Sequence, residues 1–385
     1  MNMLGIIAEY NPFHTGHKSH LEKAKEISAC DGIAAVLSGN FVQRGEPALC
    51  DKWRRTKMAL LAGADLVIEL PLYYATAGAG YFAKGAVTLL ERSGLVNSLC
   101  FGSEWADIDI LKDCAKALAS EDAGFKVRLR ENLRQGLSYP SARAKAAGAI
   151  LPDAPNNVLG MEYIKALIDI DSEIVPYTVP RSPGSAKALR DNLKNSADAI
   201  SQLSRHMPLD AWNILNDALS AGGIADLDNL SSIFHYILRT STRAKLQEYM
   251  DVSEGLENRI TRCAEENILI SDIISAAKTK RYTYLRLQRA ALHIILGIKK
   301  LQMAAYEAGG GPQYIRVLGF NRNRAVLLRR LEENAALPVV INLKNARLPP
   351  LAAEMLEAEV RSTKVYSLAY PRQVYYNEYA MPLVL

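Results

Sequence analysis

The 385-residue chain predicts an α/β fold: a doubly wound parallel sheet, followed by a mainly helical region and a small C-terminal α/β unit. Three observations carry that expectation. Short apolar runs alternate with helical patterns of roughly 10–15 residues over the first ~180 positions, the mark of a parallel sheet. From about residue 183 the apolar period becomes helical. After Gly309-Gly310-Gly311-Pro312 a strand–helix–strand pattern resumes. The expected units are 1–182, 183–308 and 309–385.

Leu4–Tyr10 is the first strand, and Asn11-Pro12 turns it into a helix opening near His14. Gly32–Leu37 is the second strand, ending in Ser38-Gly39-Asn40. Asp51–Ala62 is a helix, with Trp53, Met58 and Leu61 on a helical period. Ala64–Leu70 is a buried third strand stopped by Pro71, and Ala79–Arg92 is a helix stopped at Ser93-Gly94. Leu95–Phe101 is the fourth strand, with Gly102-Ser103-Glu104 at its carboxyl end. A helical stretch covers about Ile108–Arg134. Asn157–Ile170 is a helix with Asn156 or Asn157 as its N-cap, and Ile174–Val179 is a strand closed by Pro180-Arg181. Ligands of doubly wound sheets bind outside the carboxyl ends of the strands, where His14, Ser38, Gly102 and Arg181 all fall. Asp210–Leu219, Leu230–Leu238, Ser241–Met250, Leu256–Glu266, Ile268–Ala277 and Tyr282–Leu296 read as helices. Tyr314–Leu318 and Pro338–Leu343 read as strands around a helix at Asn323–Glu333.

Composition narrows the class. No apolar run approaches the roughly 20 residues of a membrane span, and the N-terminus enters a strand without a signal-peptide layout. The five cysteines are scattered, with no Cys-x-x-Cys, so no zinc or disulfide framework is expected and a reducing cytoplasm fits. The net charge is +5, but Lys278–Arg347 holds fourteen Lys/Arg against three acids, a local +11. Such a segment is either a solvated basic face or a surface for a phosphate backbone.

The chemistry concentrates in Asn11-Pro12-Phe13-His14-Thr15-Gly16-His17. Unpaired N–H groups at a helix start attract an anion, and Gly16 lets a phosphate approach the backbone. His14 and His17 are three residues apart, so they share a face of the first helical turn. Two imidazoles placed there can donate to phosphate oxygens as charge grows on them. The pattern points to a nucleoside triphosphate attacked at its α-phosphate. No Ser-His-Asp or Cys-His arrangement is present, and none is needed when a substrate carboxylate is the nucleophile.

His-x-Gly-His after a first strand resembles the Rossmann-like nucleotidyltransferases. Longer strings resemble the bacterial tRNA(Met) cytidine acetate ligases: Ile6 through His17, Ser38 through Ala48, Gly63 through Pro71, Phe101-Gly102-Ser103-Glu104, Pro155 through Gly160, and Tyr314 through Asn321. These strings span essentially the whole chain. The resemblance implies a two-step reaction: ATP and acetate give acetyl-adenylate, and the acetyl group passes to the exocyclic amine of the wobble cytidine of elongator tRNA(Met). It further implies that ATP is held by Ile7, Ala8, Glu9, Tyr10, Asn11, Pro12, Phe13, His14, Thr15, Gly16, His17, Lys18, Ser19 and His20, with Gly102, Asn157 and Arg181. His14 and His17 are the expected catalytic pair. No protein metal site is expected; Mg²⁺ accompanies the triphosphate.

For the tRNA the candidates are Lys278, Lys280, Arg281, Arg286 and Arg289, a basic helix interleaved with Tyr282 and Tyr284. Arginine suits phosphate, and tyrosine can stack on splayed bases; an amphipathic helix with snorkelling tyrosines gives the same pattern. Arg322, Arg324, Arg329 and Arg330 form a second basic cluster. One departure is Asn195–Ser201, where Asp198 and Ser201 stand in place of an expected threonine and arginine. Arg190 or Arg205 then substitutes, or the second substrate is handled differently. The competing readings are an adenylyltransferase acting on a phosphorylated small molecule, and an RNA-binding relative with altered catalysis.

Overall fold

Strand β1 (Met3–Ala8) lies at the middle of an eight-stranded sheet, because its apolar side chains can be buried on both faces. The computed structural model describes residues 1–119, 124–137, 142, 145–146, 154–181, 189–190, 203–372 and 374–385. Helix α1 (Thr15–Ser28) leads to β2 (Gly32–Ser38), and α2 (Lys52–Leu61) to β3 (Leu66–Leu70). Helix α3 (Ala79–Arg92) leads to β4 (Val96–Ser103). Helices α4 (Ile108–Ala119), α5 (Phe125–Arg134) and α6 (Pro155–Asp169) precede β5 (Val175–Pro180).

The parallel strands run in the order β3-β2-β1-β4-β5. The order reverses beside β1, which opens a crevice at the carboxyl ends of β1 and β4. Alternate residues of β2 serve opposite cores. Ala34 and Val36 join Leu66, Ile68 and the α3 residues Phe82, Ala86 and Leu90. Ala35 and Leu37 join Leu4, Ile6, Leu21 and Met58.

A helical array follows: α7 (Leu209–Gly222), α8 (Ser231–Thr240), α9 (Arg243–Gln247), α10 (Leu256–Glu266), α11 (Ile270–Ala277), α12 (Tyr284–Leu296) and α13 (Lys300–Ala308). Phe234, Leu256, Ile273 and Leu287 of this array share the core on the α3 face of the sheet. Helix α12 starts later than the sequence pattern predicts, because the Thr283 hydroxyl caps it by accepting from the Arg286 N–H at 3.4 Å. Helix α6 starts earlier, because Pro155 suits the first turn and Ala154 takes the N-cap position, which neither Asn156 nor Asn157 fills.

The C-terminal strand departs furthest from expectation. β6 (Ile315–Phe320) enters the main sheet antiparallel to β3, with Glu69 opposite Arg316. After α14 (Val326–Asn334), β7 (Val339–Val340) pairs with its outer edge. After α15 (Pro350–Tyr366), β8 (Leu383–Val384) pairs with that same edge. An apolar run announces a strand, but its partner is fixed by contacts hundreds of residues away.

The β3–β6 seam buries a charge cluster. Lys52 Nζ lies 2.5 Å from both Glu69 and Glu378, and Arg316 lies 2.9 Å from Glu69 and also pairs with Glu378. Burial raises the Glu69 carboxyl, but Lys52 and Arg316 outweigh it and hold it low. Burial and the neighbouring Glu69 push Glu359 well above the usual carboxylate range, so it is protonated and two cations face two anions. Gly39 fits over this cluster only without a side chain: a Cβ there would lie 2.8 Å from the Oε1 atoms of both Glu69 and Glu359.

Candidate active site

The end of β1 and the start of α1 form the floor of the crevice. Tyr10 takes a left-handed φ of 49°, the Asn11-Pro12 bond is cis, and His14 is the extended N-cap residue of α1. Tyr10, Asn11, Pro12 and Phe13 are buried. Asn11 is tied from two directions: its Oδ1 accepts from the Leu49 N–H at 2.8 Å, and its carbonyl accepts from Arg190 at 2.6 Å. Arg190, one expected substitute for the missing late arginine, is therefore committed to Asn11 and to Glu46, 3.0 Å away.

The first helical turn presents the histidines. The Thr15 N–H donates to the His206 carbonyl at 2.9 Å, and the His17 and Lys18 N–H groups turn back to the His14 carbonyl. The Gly16 N–H has no partner among the described residues. His14 and His17 stack with ring centroids 3.7 Å apart and planes at 20°. The His14 N–H donates to His17 Nδ1 at 3.2 Å, so the proton of neutral His17 resides on Nε2. Burial depresses His14 to about 4, helped by Arg181 and His206. Burial, then His14, His20 and Arg181, holds His17 well below its ordinary value. Both rings are neutral donors at neutral pH, and Arg181 supplies the fixed positive charge.

Arg181 follows β5, beside the end of β4. A Cβ on Gly102 would meet nothing closer than 4.0 Å, its neighbours there being Arg181, His20 and Val179. Packing within the protein does not require glycine at this position, and the space beside it is open. Glu104 links this side to α6. It accepts from Asn156 Nδ2 at 2.6 Å and from the Asn157 N–H at 3.0 Å, and lies 3.4 Å from Arg181. Asn157 Oδ1 accepts in return from the Glu104 and Trp105 N–H groups, at 2.9 and 3.1 Å. Its buried Nδ2 is left without a partner among the described residues. His14, His17, His20, Gly102, Arg181 and Asn157 thus share one crevice, while Ile7 and Ala8 end the strand below it and Lys18 and Ser19 continue along α1.

Sequence reasoning missed Arg55. Its fully buried guanidinium gathers four carbonyls: Cys50 at 3.0 Å, Glu9 at 2.7 Å, Ser38 at 3.0 Å and Gly39. One side chain therefore ties the carboxyl ends of β1 and β2 to α2. No local signal singles it out, because Lys52 and Thr56 of the same helix are buried with it.

The basic candidates divide by exposure. Lys278, Lys280 and Arg281 are exposed, and Arg281 also lies 3.4 Å from Glu254. Arg286 pairs with Glu254 at 3.1 Å and donates to Ser253, and Arg289 pairs with Asp251 at 2.9 Å. Tyr282 is buried with its hydroxyl on the Glu254 carbonyl, so it is no stacking platform, whereas Tyr284 reaches the surface. Gly45 carries φ 82°, and a Cβ there would come within 2.6 Å of the Arg289 backbone, so the Gln43–Glu46 loop packs directly on α12. In the second cluster Arg324 is tied to Asp65 at 3.2 Å, and Arg322, Arg329 and Arg330 are exposed. Asp198 and Ser201 lie outside the described residues.

Among the described residues no group of three His, Cys, Asp or Glu could hold a metal ion, and no helix is long and apolar enough to cross a membrane. The five cysteines are unbonded.

A sequence profile described as HIGH Nucleotidyl Transferase matches residues 1–380. The chain is 36% identical over 413 aligned positions to a Clostridium perfringens protein named tRNA(Met) cytidine acetate ligase, covering 100% of both. A protein of that name from Acetivibrio thermocellus is 39% identical, with 96% of this chain and 95% of the relative covered. The crystal structure of Thermotoga maritima TmcAL bound with alpha-thio ATP superposes with a TM-score of 0.93 at 33% identity, covering 100% of both chains. The chain therefore belongs to the HIGH nucleotidyl transferases and, among them, to the tRNA(Met) cytidine acetate ligase family.

Proposed function

We propose that the chain uses ATP to activate acetate as acetyl-adenylate, and then transfers the acetyl group to the exocyclic amine of the wobble cytidine of elongator tRNA(Met), forming N4-acetylcytidine. The observation that carries this reading is the stacked, neutral His14–His17 pair at the start of α1, beside Arg181. The whole-length kinship to proteins named for that activity selects the substrates.

Acetate oxygen attacks the α-phosphorus, the bond to the bridging oxygen breaks, and pyrophosphate leaves with the electron pair. No protein nucleophile is required; the enzyme positions the reactants and stabilises charge. His17 offers Nε2–H, and the Gly16 N–H points from the helix start. Neutral donors tighten as charge develops on the phosphate oxygens, and Arg181 offsets the net charge. Gly102 gives the nucleotide room, and the orphan Asn157 Nδ2 offers a buried donor at the same crevice. Mg²⁺ would enter with the triphosphate.

The exposed cations of residues 278–281 and the cluster near Arg322 would track the tRNA backbone, with the 183–308 and 309–385 segments acting together. A cytoplasmic location fits an enzyme of tRNA with unbonded cysteines.

The test is incubation with ATP, Mg²⁺, labelled acetate and bulk bacterial tRNA, following pyrophosphate and acid-precipitable label. Label in tRNA supports the ligase. Nucleotide turnover only with a phosphorylated small molecule would replace it with an adenylyltransferase, and tRNA binding without turnover would indicate an altered relative.

A further inference from the structure

Glu9 is a carboxylate in an anion-binding cassette, which is the wrong sign for gripping phosphate. It stands at the carboxyl end of β1, beside the reversal of strand order where the crevice opens. Its position is fixed at two points. The backbone carbonyl accepts from Arg55 at 2.7 Å, and Oε1 accepts from the Gln43 N–H at 2.8 Å. No cation lies within ion-pairing distance among the described residues, and no partner there takes Oε2. The charged groups facing it are Arg190, Arg44 and Glu46, with Tyr163 beside them. Burial raises its carboxyl above the ordinary value, against the Gln43 N–H and the two arginines. Glu9 is thus half-buried and oriented, with one oxygen uncommitted just beyond the carboxyl end of β1.

The second half-reaction can use such a group. A cytosine amine is a weak nucleophile because its lone pair is drawn into the ring. As nitrogen bonds to the acetyl carbon, the bond from that carbon to the adenylate oxygen breaks, AMP leaves with the electron pair, and nitrogen must lose a proton. His17 cannot take it at Nδ1, which already accepts the His14 N–H. We infer that the Glu9 carboxylate receives the exocyclic amine of the acceptor cytosine and takes its proton as the acetyl group arrives. The same contact selects the base: a carboxylate accepts from the cytosine amine and repels the carbonyl oxygen that uracil presents there. This assignment rests on the proposed function.

Glu9→Gln tests it. The amide oxygen still accepts from Gln43, so the loop is kept, but the group cannot take a proton. Because Glu9 also belongs to the segment expected to hold ATP, acetate-dependent ATP–pyrophosphate exchange is read beside transfer and should fall far less than transfer does. Single-turnover acetyl transfer to tRNA should fall about 10²–10⁴-fold, the usual contribution of a positioned base. Its rising acid limb with pH should also disappear. Glu9→Asp keeps the carboxylate one methylene short and should keep the limb at a reduced rate. Exchange that falls together with transfer would overturn the inference, since Glu9 would then serve the nucleotide or the loop; so would transfer unchanged in Glu9→Gln. A wild-type enzyme that exchanges pyrophosphate but never labels tRNA overturns the proposed function, and this inference with it. A wild-type enzyme that labels tRNA, with variants that depart from these expectations, overturns only the role of Glu9.

Discussion

Replacing Arg55 by methionine removes a side chain that joins the ends of both β1 and β2 to α2. Four carbonyls lose a charged donor: Cys50, Glu9, Ser38 and Gly39. At about 1.5 kcal/mol for each bond, the low end for a bond to a charged group, the four together are worth about 6 kcal/mol. Methionine refills most of the volume and avoids an empty cavity, so the expected cost is about 4 kcal/mol, at the upper end of single substitutions. Arg55→Lys keeps the charge but gathers its donors on one nitrogen, and should cost about 2 kcal/mol. Urea unfolding followed by fluorescence measures both values, and nucleotide titration of the folded variants should show weaker ATP binding as the Glu9 carbonyl is released. A loss below about 1 kcal/mol for Arg55→Met, with ATP affinity unchanged, would refute the reasoning.

Three further outcomes are expected. Gly39→Ala forces a Cβ to 2.8 Å from the carboxyl oxygens of Glu69 and Glu359, and should destabilise the chain by about 2–3 kcal/mol in the same unfolding assay. His14 and His20 are each lowered by burial from 6.5 to about 4, so the unfolded chain binds more protons between those values. Stability should therefore be fully present above pH ~6.5 and fall as pH drops toward 4, which denaturation at a series of pH values will read. Lys280→Ala with Arg281→Ala should weaken tRNA binding and lower the slope of log affinity against log salt by about one for each phosphate no longer neutralised, while adenylate formation persists; an unchanged slope removes those residues from the interface.

The crevice was legible in the sequence because its chemistry is local. His14, Gly16 and His17 fall within one helical turn, and strand and helix periods around them fix where that turn points. The residues that hold the site in place were not legible, because their meaning lies in distant partners. Arg55 reads as one more helical cation until the carbonyls of Glu9 and Ser38 surround it. Glu104 gains its role from Asn156 and Asn157, more than fifty positions away. Tyr282 illustrates the converse: a tyrosine among cations suits either a stacking surface or a core, and here the Glu254 carbonyl and the surrounding apolar cluster decide for the core. The antiparallel entry of β6 was hidden for the same reason, since Arg316 declares its position only once Glu69 and Lys52 stand beside it.

The most direct test of the account is nucleoside mass analysis of elongator tRNA(Met) after incubation with the enzyme, ATP, Mg²⁺ and isotopically labelled acetate. One labelled acetyl group is expected on a single cytidine, with one AMP and one pyrophosphate released per transfer, and all three are expected to be lost in His14→Ala with His17→Ala. Cytidine that stays unmodified while ATP is consumed, or acetylation that survives the loss of both histidines, would contradict it.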